Sequence, residues 1–159
     1  MTSRCLRLLT ERGLTFAAAE SCTGGLIAKR ITDLPGASSV CLGGVVSYTN
    51  GVKERLLGVP ASVLEEYGAV SRETALAMAA GVRERTGADL AVSVTGICGP
   101  GTDERNTPVG TGFVGFAAPD CLVCRPIRMG NDRERGRIVA ASHAFDLLRR
   151  WLTDDLREF

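Results

Sequence analysis

The stretch "LTFAAAESCTGGLIAKRIT" at residues 14–32 joins an apolar run to a helical pattern through a polar, glycine-rich turn. The run "LTFAAAE" at residues 14–20 predicts a buried strand, and the pattern from Gly24 to Thr32 predicts a helix. A turn between them needs the glycines, but it does not need the carboxylate, the two hydroxyls and the thiol of "ESCT". These polar residues therefore predict either a helix cap or a reaction site.

Periodicity and turn residues beyond this stretch predict an α/β domain in which helices flank a mixed sheet, in the order α-β-α-β-α-α-β-β-β-α. The other predicted helical segments are residues 5–12 before Gly13, a short turn at 52–58, a segment opened by Pro60, residues 71–87 capped by Ser71, and a last helix capped by Asn131 or Asp132. The other predicted strands are residues 39–50, 89–96, 109–119 and 121–130. The positions expected to face the core are Ala75, Met78 and Val82, and on the last helix Ile138, Ala141, Phe145, Leu148 and Leu152.

The composition is that of an ordinary globular protein with a single domain, residues 1–159. Hydrophobic residues make up 45% of the chain, and its net charge of +1 offers no bulk attraction to nucleic acid or to an anionic membrane. No apolar run approaches the roughly 18 residues of a membrane span, and the N-terminal stretch lacks the apolar core of a signal peptide. We therefore expect a cytoplasmic protein that has neither nucleic acid nor a membrane as its partner.

The six cysteines are scattered among apolar segments and lack the spacing of a disulfide framework. "CLVC" at residues 121–124 is a single CxxC pair, whereas a zinc site needs about four ligands, and His143 is the only histidine. The pattern favours buried, reduced thiols and predicts no metal site.

A serine nucleophile at Ser21 requires a base, and the sequence offers no obvious histidine for that role. His143 falls in the predicted last helix, where a core or surface histidine is the expected interpretation. The remaining candidates are Glu20, Lys53 and Tyr48. Lysine acts as a base at pH 7 only when its pKa falls by about 3 units, which burial can achieve. Capping of the helix by Ser21 or Thr23 remains the alternative at this point.

Two further segments carry candidate ligand contacts. "VTGICGPGT" at residues 94–102 places Thr95 and Gly96 where a predicted strand enters a glycine-rich loop, a setting in which backbone N–H groups can face a ligand. Arg133 and Arg137 lie one helical turn apart at the start of the last helix, where they can clamp a phosphate. An ordinary loop and an exposed, charged first turn are the respective alternatives.

Six ordered blocks of the sequence together resemble the C-terminal domain of the competence/damage-inducible CinA family. These blocks are "AAAESCTGG", "VVSYTN" with the following Lys53, "GAVS", "VTGICGPG", "PVGTGFVGFA" and "NDRERGRIVAASHAFDLLRRWL", and the resemblance covers residues 4–153. The resemblance implies a three-layer α/β sandwich and a single CinA C-terminal-like amidohydrolase domain. The stand-alone form of this domain is the nicotinamide mononucleotide deamidase, so the resemblance also implies a homo-oligomer that converts this nucleotide to nicotinate mononucleotide and ammonia.

The resemblance further implies a serine amidohydrolase that uses neither a metal nor a cofactor. Ser21 would be the nucleophile, Lys53 the general base, and Tyr48 an aid to proton transfer or positioning. Glu20 would orient the site or face the cationic pyridinium of the substrate. The remaining expected substrate contacts are Thr23, Gly24 and Gly25 at the oxyanion or amide pocket, Thr95 and Gly96 along the site, and, from their charge, Arg133 and Arg137 at the phosphate.

The chain departs from the family pattern in one loop and at one cysteine. "TDERNTPVG" stands where the pattern has a glycine-rich loop leading to "KPVG", with Thr107 in place of the lysine, and Cys98 stands in place of an alanine. Two alternatives to the serine amidohydrolase follow. The first is a non-catalytic nucleotide-binding or assembly module with the same fold, and the second is a cysteine hydrolase that uses Cys22.

Overall fold

The elements that position the site come from a computed structural model that describes residues 1–156. Within these residues the helices and strands, in chain order, are α1 (Thr2–Arg12), β1 (Phe16–Glu20), α2 (Leu26–Thr32), β2 (Cys41–Val46), α3 (Asn50–Leu57), α4 (Ala61–Tyr67), α5 (Arg72–Thr86), β3 (Leu90–Gly96), β4 (Thr111–Ala118), β5 (Cys121–Arg128) and α6 (Arg133–Leu152). A short 3₁₀ turn, Ala37–Ser39, precedes β2.

The five strands form one mixed sheet in the order β2-β1-β3-β4-β5. β1 pairs in parallel with both β2 and β3, whereas β4 runs antiparallel to β3 and β5. The chain leaves β1 towards β2 on one side and then returns to place β3 on the other side, so the strand order reverses at β1. Ligands of open α/β sheets bind outside the carboxyl ends of the strands at such a reversal.

The three central strands, β1, β3 and β4, are largely buried on both faces, which confirms the predicted three-layer sandwich. Along β1 the side chains alternate between two cores, as the pleat of a strand requires. Phe16 and Ala18 face a core shared with α1, α2 and α6. Ala17 and Ala19 face a second core shared with α3, α4 and α5. A near-continuous apolar strand such as "FAAA" is typical of a parallel strand covered by helices on both sides.

Several boundaries differ from the prediction for local reasons. The predicted short turn at 52–58 is the complete helix α3, because the Thr49 hydroxyl accepts a hydrogen bond from the Val52 N–H and caps it. Three helices rather than two therefore connect β2 to β3. α2 begins at Leu26 rather than Gly24, because Gly24 and Gly25 take positive φ angles of 60° and 102° that end the strand-to-helix turn.

The last helix shows one clear error in the predicted core. Asp132 caps α6 as predicted, its carboxylate accepting from the Arg135 N–H. The residues Ala141, Phe145, Leu148 and Leu152 are buried, but the Ile138 side chain is 49% exposed. The buried arc of α6 is centred on small residues such as Ala140 and Ala144, and Ile138 falls just outside that arc. The stripe on α5, comprising Ala75, Met78 and Val82, is buried as predicted.

Candidate active site

Glu20, the last residue of β1, caps the helix that follows it. Its buried carboxylate accepts hydrogen bonds from the N–H groups of Gly25, Ile27 and Ala28 at 3.1, 3.0 and 2.9 Å. A carboxylate at this position satisfies the free donors of the first helical turn and complements the positive end of the helix. The predicted cap by Ser21 or Thr23 is therefore wrong, and the Ser21 hydroxyl is left for another role.

Ser21 is paired with a buried lysine. Lys53 Nζ lies 3.2 Å from Ser21 Oγ and donates a second hydrogen bond of 2.7 Å to the Ser47 carbonyl oxygen. The Lys53 side chain is only 1% exposed, and none of the ion pairs within residues 1–156 includes it. Because burial disfavours the ammonium form, the pKa of Lys53 falls from 10.5 to about 8. A lysine in this state can accept a proton from the serine near neutral pH.

Two neighbouring strand ends fix the geometry of this pair. Ser21 follows β1 directly, and its N–H donates to the Val94 carbonyl of β3. Ser47 follows β2, and its N–H donates to the Glu20 carbonyl at 2.7 Å, which extends the β1–β2 pairing by one residue. α3 begins soon after Ser47 and carries Lys53 on its buried side. The carboxyl ends of two parallel strands thus bring together residues that are 32 positions apart.

The pair opens into a cavity of about 240 Å³ at the carboxyl edge of the sheet. Six of the residues selected from the sequence line this cavity: Ser21, Tyr48, Lys53, Thr95, Gly96 and Arg133. Thr95 is buried, and its hydroxyl donates to the Ala69 carbonyl at 2.7 Å. That bond ties the end of β3 to the segment before α5, so Thr95 shapes the cavity wall.

Tyr48 and Arg133 form the mouth of the cavity. The Tyr48 side chain is 59% exposed, and its hydroxyl accepts a 3.0 Å hydrogen bond from Arg133 Nη2. Arg133 Nη1 donates to the Gly99 carbonyl at 2.8 Å. A guanidinium group has five N–H donors, so Arg133 can still bind an anion while it makes these two contacts.

The other predicted site residues do not line this cavity. Arg137 Nη2 donates to the Thr23 carbonyl at 2.9 Å, so Arg137 supports the turn after β1 and does not join Arg133 in a phosphate clamp. Its guanidinium also occupies the space beside the Cα of Gly24. Although Arg133 and Arg137 are one turn apart on α6, only the first reaches the cavity.

The turn after β1 offers fewer free donors than the sequence suggested. Of the N–H groups of residues 22–25, that of Gly24 donates to the Ser21 carbonyl and that of Gly25 to Glu20. The N–H groups of Cys22 and Thr23 donate to no acceptor on another residue within the described part of the chain. The predicted substrate contacts through Gly24, Gly25 and the Glu20 carboxylate are thus replaced by contacts inside the turn.

Sequence reasoning marked the loop at residues 101–107 as a departure from the family pattern but did not select Asn50 or Asp103 as site residues. Asn50, Thr102 and Asp103 line the cavity and also a neighbouring one of about 570 Å³. The Asp103 carboxylate accepts from the Arg105 N–H and from the Thr107 N–H and hydroxyl, an arrangement that holds the loop in one shape. An Asp followed by polar residues is typical of a turn, which was the available signal.

Arg105 attaches the same loop to α4. Its guanidinium donates to the Glu66 carbonyl at 3.1 Å and to the Glu65 carbonyl at the carboxyl end of that helix. The loop at residues 101–107, which departs from the family pattern, is therefore held by hydrogen bonds and separates the two cavities.

Cys22 and Cys98 also line the cavity, and each thiol shifts the pKa of the other. Side-chain hydrogen bonding with Cys98, together with burial, raises the pKa of Cys22, so its thiol stays protonated. Lys53 donates to Ser21, and no hydrogen bond between Lys53 and Cys22 exists within the described residues. Both observations favour Ser21 over Cys22 as the nucleophile.

The remaining titratable groups lie away from the pair. His143 is half-buried on α6 outside the cavity, and burial lowers its pKa.

Within residues 1–156, no three His, Cys, Asp or Glu side chains are grouped as a metal site. No helix in this range is both long and apolar enough to cross a membrane.

The fold and the site together define a class: an α/β sandwich with a buried serine–lysine pair at the carboxyl edge of its parallel strands. The family model of the CinA C-terminal domain matches residues 1–152. The chain therefore belongs to the CinA family.

Named relatives and solved structures agree with this assignment. A CinA-like protein of Geotalea daltonii is 52% identical over 145 residues, which cover 91% of this chain and 35% of the relative. A crystal structure of the competence/damage-inducible protein CihA from Agrobacterium tumefaciens superposes with a TM-score of 0.91 at 40% identity and covers 96% of this chain and 93% of that one. A CinA superfamily protein of Klebsiella pneumoniae gives a TM-score of 0.92 at 30% identity and covers 96% of each chain. The chain spans about a third of the length of the curated relatives it matches.

Proposed function

We propose that this chain is a metal-free and cofactor-free amidohydrolase that converts nicotinamide mononucleotide to nicotinate mononucleotide and ammonia. The observation that carries the proposal is the 3.2 Å contact between Ser21 Oγ and Lys53 Nζ, a buried lysine that forms no ion pair with a carboxylate within residues 1–156. Hydrolysis of an amide requires a nucleophile, a group that shuttles a proton, and donors for the oxyanion. The cavity supplies all three from this chain's own residues.

In the first half of the reaction, neutral Lys53 accepts the Ser21 proton as Oγ attacks the carboxamide carbon. The oxyanion that forms would accept a hydrogen bond from the N–H group of Cys22, a residue that lines the cavity and whose N–H has no acceptor on another described residue. Protonated Lys53 then gives its proton to the amide nitrogen, and the C–N bond breaks. Ammonia leaves, and the nicotinoyl group remains on Ser21 as an ester.

In the second half, water replaces ammonia. Lys53, now neutral, accepts a proton from the water as its oxygen attacks the ester carbon. Collapse of the intermediate returns this proton to Ser21 Oγ and releases the carboxylic acid, which loses its remaining proton to solvent and leaves as the carboxylate. The Ser47 carbonyl accepts a hydrogen bond from Lys53 Nζ at 2.7 Å and so holds the amine in line with Ser21 through both halves.

The charges around the cavity fit a substrate with a cation and an anion at opposite ends. Arg133 stands at the mouth, where it would bind the 5′-phosphate. Asp103 lies at the boundary with the neighbouring cavity, which Glu54, Glu65 and Glu104 also line. These carboxylates would favour the pyridinium ring and disfavour the negatively charged product, which would assist release.

The proposal is tested by incubating the purified chain with nicotinamide mononucleotide and EDTA and measuring ammonia and nicotinate mononucleotide. Ser21→Ala and Lys53→Arg should each lose at least about a thousandfold in turnover, because the first removes the nucleophile and the second a group able to deprotonate. Lys29→Arg is the matched control, since Lys29 is the other lysine of the chain and lies exposed beside Asp33.

One outcome would favour the alternative function. The chain spans only about a third of its curated relatives, so a nucleotide-binding or assembly module of a larger protein is the second candidate. Binding of the nucleotide by the parent protein without any release of ammonia would support that module and contradict the amidohydrolase.

A further inference from the structure

The proposed reaction uses the cavity but leaves the two thiols that line it without a role. Cys22 is the residue after Ser21, and Cys98 lies in the loop that follows β3. Their side chains are 8% and 4% exposed, yet both border the cavity through which small molecules reach Ser21. The remaining described cysteines lie elsewhere and line neither this cavity nor its neighbour.

The pair links the two chain segments that build the site. β1 and β3 are neighbouring parallel strands, and the turn after β1 is tied to β3 by the bond from the Ser21 N–H to the Val94 carbonyl at 3.0 Å. Cys22 and Cys98 follow these strands at the same edge of the sheet, and both side chains line the same cavity of about 240 Å³. Each thiol also shifts the pKa of the other, as expected of two sulfurs that lie close together.

The two thiols differ in pKa, so Cys98 is expected to react with the oxidant and Cys22 to resolve the product. The hydrogen bond from Cys22 lowers the pKa of Cys98 below its ordinary value, and the positive charges of Arg133 and Arg137 act in the same direction against the effect of burial. Cys22, the donor, stays protonated. Thiolates rather than thiols react with peroxides, and a sulfenic acid beside a second thiol condenses to a disulfide.

We propose that Cys22 and Cys98 form a reversible, peroxide-sensitive disulfide that closes the active-site cavity. The Cys98 thiolate would attack one oxygen of a hydroperoxide, ROOH, to give a sulfenic acid and, after protonation, the alcohol or water ROH. The Cys22 sulfur would then displace water from the sulfenic acid to form the S–S bond. The sum is two thiols plus ROOH giving one disulfide, ROH and water, and an added dithiol reverses it by exchange.

Closure follows from the length of the new bond. An S–S bond measures about 2.05 Å and is shorter than any hydrogen-bonded contact between two thiols. Forming it draws the turn that carries Ser21 towards the loop after β3, away from Lys53 on α3. A displacement of about 1 Å at a reacting group can reduce a rate about a hundredfold. This effect on turnover rests on the proposed function, whereas formation of the disulfide does not.

The test treats the reduced chain with hydrogen peroxide, blocks the remaining thiols with iodoacetamide, and maps the peptides by mass spectrometry. Cys98→Ala removes the reactive thiol, and Cys124→Ala is the matched control, because burial raises the pKa of Cys124 to about 11 and leaves it unreactive. We expect a Cys22–Cys98 peptide pair in the parent and in Cys124→Ala that disappears with dithiothreitol and is absent from Cys98→Ala.

Two functional readouts accompany the map. Each protein's turnover of nicotinamide mononucleotide is compared with its own reduced state, and we expect at least a tenfold reversible loss in the parent and less than a twofold loss in Cys98→Ala. The rate at which acetic anhydride acetylates Lys53 is read from the same peptides and should fall in the oxidised parent. This second rate reports closure even if the chain does not hydrolyse the nucleotide, so failure of the proposed function is distinguishable.

Either of two results would overturn the proposal. The first is recovery of Cys22 and Cys98 as alkylated thiols after a peroxide dose that oxidises the exposed methionine, Met1. The second is a disulfide that forms while the acetylation rate of Lys53 and the turnover stay unchanged.

Discussion

At the scale of single residues, the chemistry of the site depends on how Lys53 is buried. Its amine meets a serine hydroxyl and a backbone carbonyl, and within residues 1–156 no carboxylate forms an ion pair with it. Most buried lysines are stabilised as ammonium ions by an acidic partner. Here burial shifts the equilibrium towards the neutral amine, which is the form that a base requires.

The first prediction concerns the pH dependence of turnover. The pKa of Lys53 is about 8, so about a tenth of the amine is neutral at pH 7 and most of it is neutral at pH 9. We expect kcat/KM to rise roughly tenfold per pH unit below pH 8 and to level off above it. Initial rates across pH 6–10 measure this limb, and a profile that is flat through pH 8 would exclude Lys53 as the titrating base.

The second prediction concerns stability and has the same origin. Between pH 8 and pH 10.5 the unfolded chain binds a proton at Lys53 that the folded chain has lost. The contribution of Lys53 to the free energy of unfolding therefore rises with pH across this window, by up to about 3 kcal/mol, and is constant below it.

Comparison with Lys53→Met isolates that contribution. Cysteines and tyrosines that titrate in the same range affect both proteins, so they cancel in the difference between the two. The free energy of unfolding, measured in urea at pH 7.5, 9 and 10.5, should rise with each increase in pH for the parent relative to the variant. If the free energies of unfolding of the two proteins changed in parallel with pH, the result would contradict a lowered pKa of Lys53 in the folded state.

The third prediction concerns Glu20. Glu20→Gln removes the charge and one of the two acceptor oxygens that serve the N–H group of Gly25 and two N–H groups of α2. We expect a loss of about 1–3 kcal/mol in the free energy of unfolding, because buried donors are left unpaired. Glu11→Gln removes an exposed carboxylate paired with Arg7 and should change stability by less than about 0.5 kcal/mol. Equal losses in the two variants would contradict the capping role.

At the scale of elements, close contacts with glycine fix the position of α3. Gly81 of α5 faces the backbone of Leu57 at the end of α3, and a Cβ at this position would collide with the Leu57 carbonyl. Lys53 lies one turn before Leu57 on the same buried side of α3. The spacing between α3 and α5 therefore affects the distance between Lys53 and Ser21.

The fourth prediction compares two helical glycines. Replacing glycine by alanine inside a helix usually stabilises it by up to about 1 kcal/mol. Gly51→Ala on α3 should follow this rule, since its Cβ would meet only the flexible side chain of Arg55. Gly81→Ala should instead lower the melting temperature by several degrees and reduce turnover, because α3 must move away from α5. Thermal unfolding and initial rates measure both effects, and similar stabilities for the two variants would contradict the close packing.

The sequence predicted the helices and strands better than it predicted the capping contacts at their ends and the buried face of the last helix. The apolar run before Glu20 and the stripe on α5 carry clear periodicity, so β1 and α5 were found. The sequence did not show that Glu20, rather than a hydroxyl, would cap α2, because the chain reaches that arrangement only after two consecutive glycines with positive φ. Ile138 was misplaced because the small residues that define the buried arc of α6 give a weak hydropathy signal.

At the scale of the whole molecule, the strand order accounts for the site. The chain passes from β1 to β2 and then to β3 on the opposite side, so three parallel strands end at one edge. Ser21, Ser47 and Thr95 are contributed by those three ends. Sequence motifs identified two of these positions, but no local pattern reveals that Arg137 lies beneath the turn or that Asn50 lines the cavity, because both depend on packing between distant elements.

The fifth prediction concerns assembly. The family resemblance implies a homo-oligomer, so light scattering coupled to size-exclusion chromatography should give a mass at least twice the 16.8 kDa of one chain. Dilution through the micromolar range serves as the control for weak association. A mass of one chain at all concentrations would contradict the prediction. The cytoplasmic location also stays a prediction, to be checked by fractionation of cells that express the chain.

The cap formed by Glu20 has a consequence for the thermodynamics of binding. Because its carboxylate holds the turn after β1 in the free protein, Ser21 and the neighbouring N–H groups are ordered before any ligand arrives. The conformational entropy of the turn is then lost during folding rather than during association. Ligands should therefore bind with little penalty for ordering the nucleophile, and the reactive geometry is preorganised.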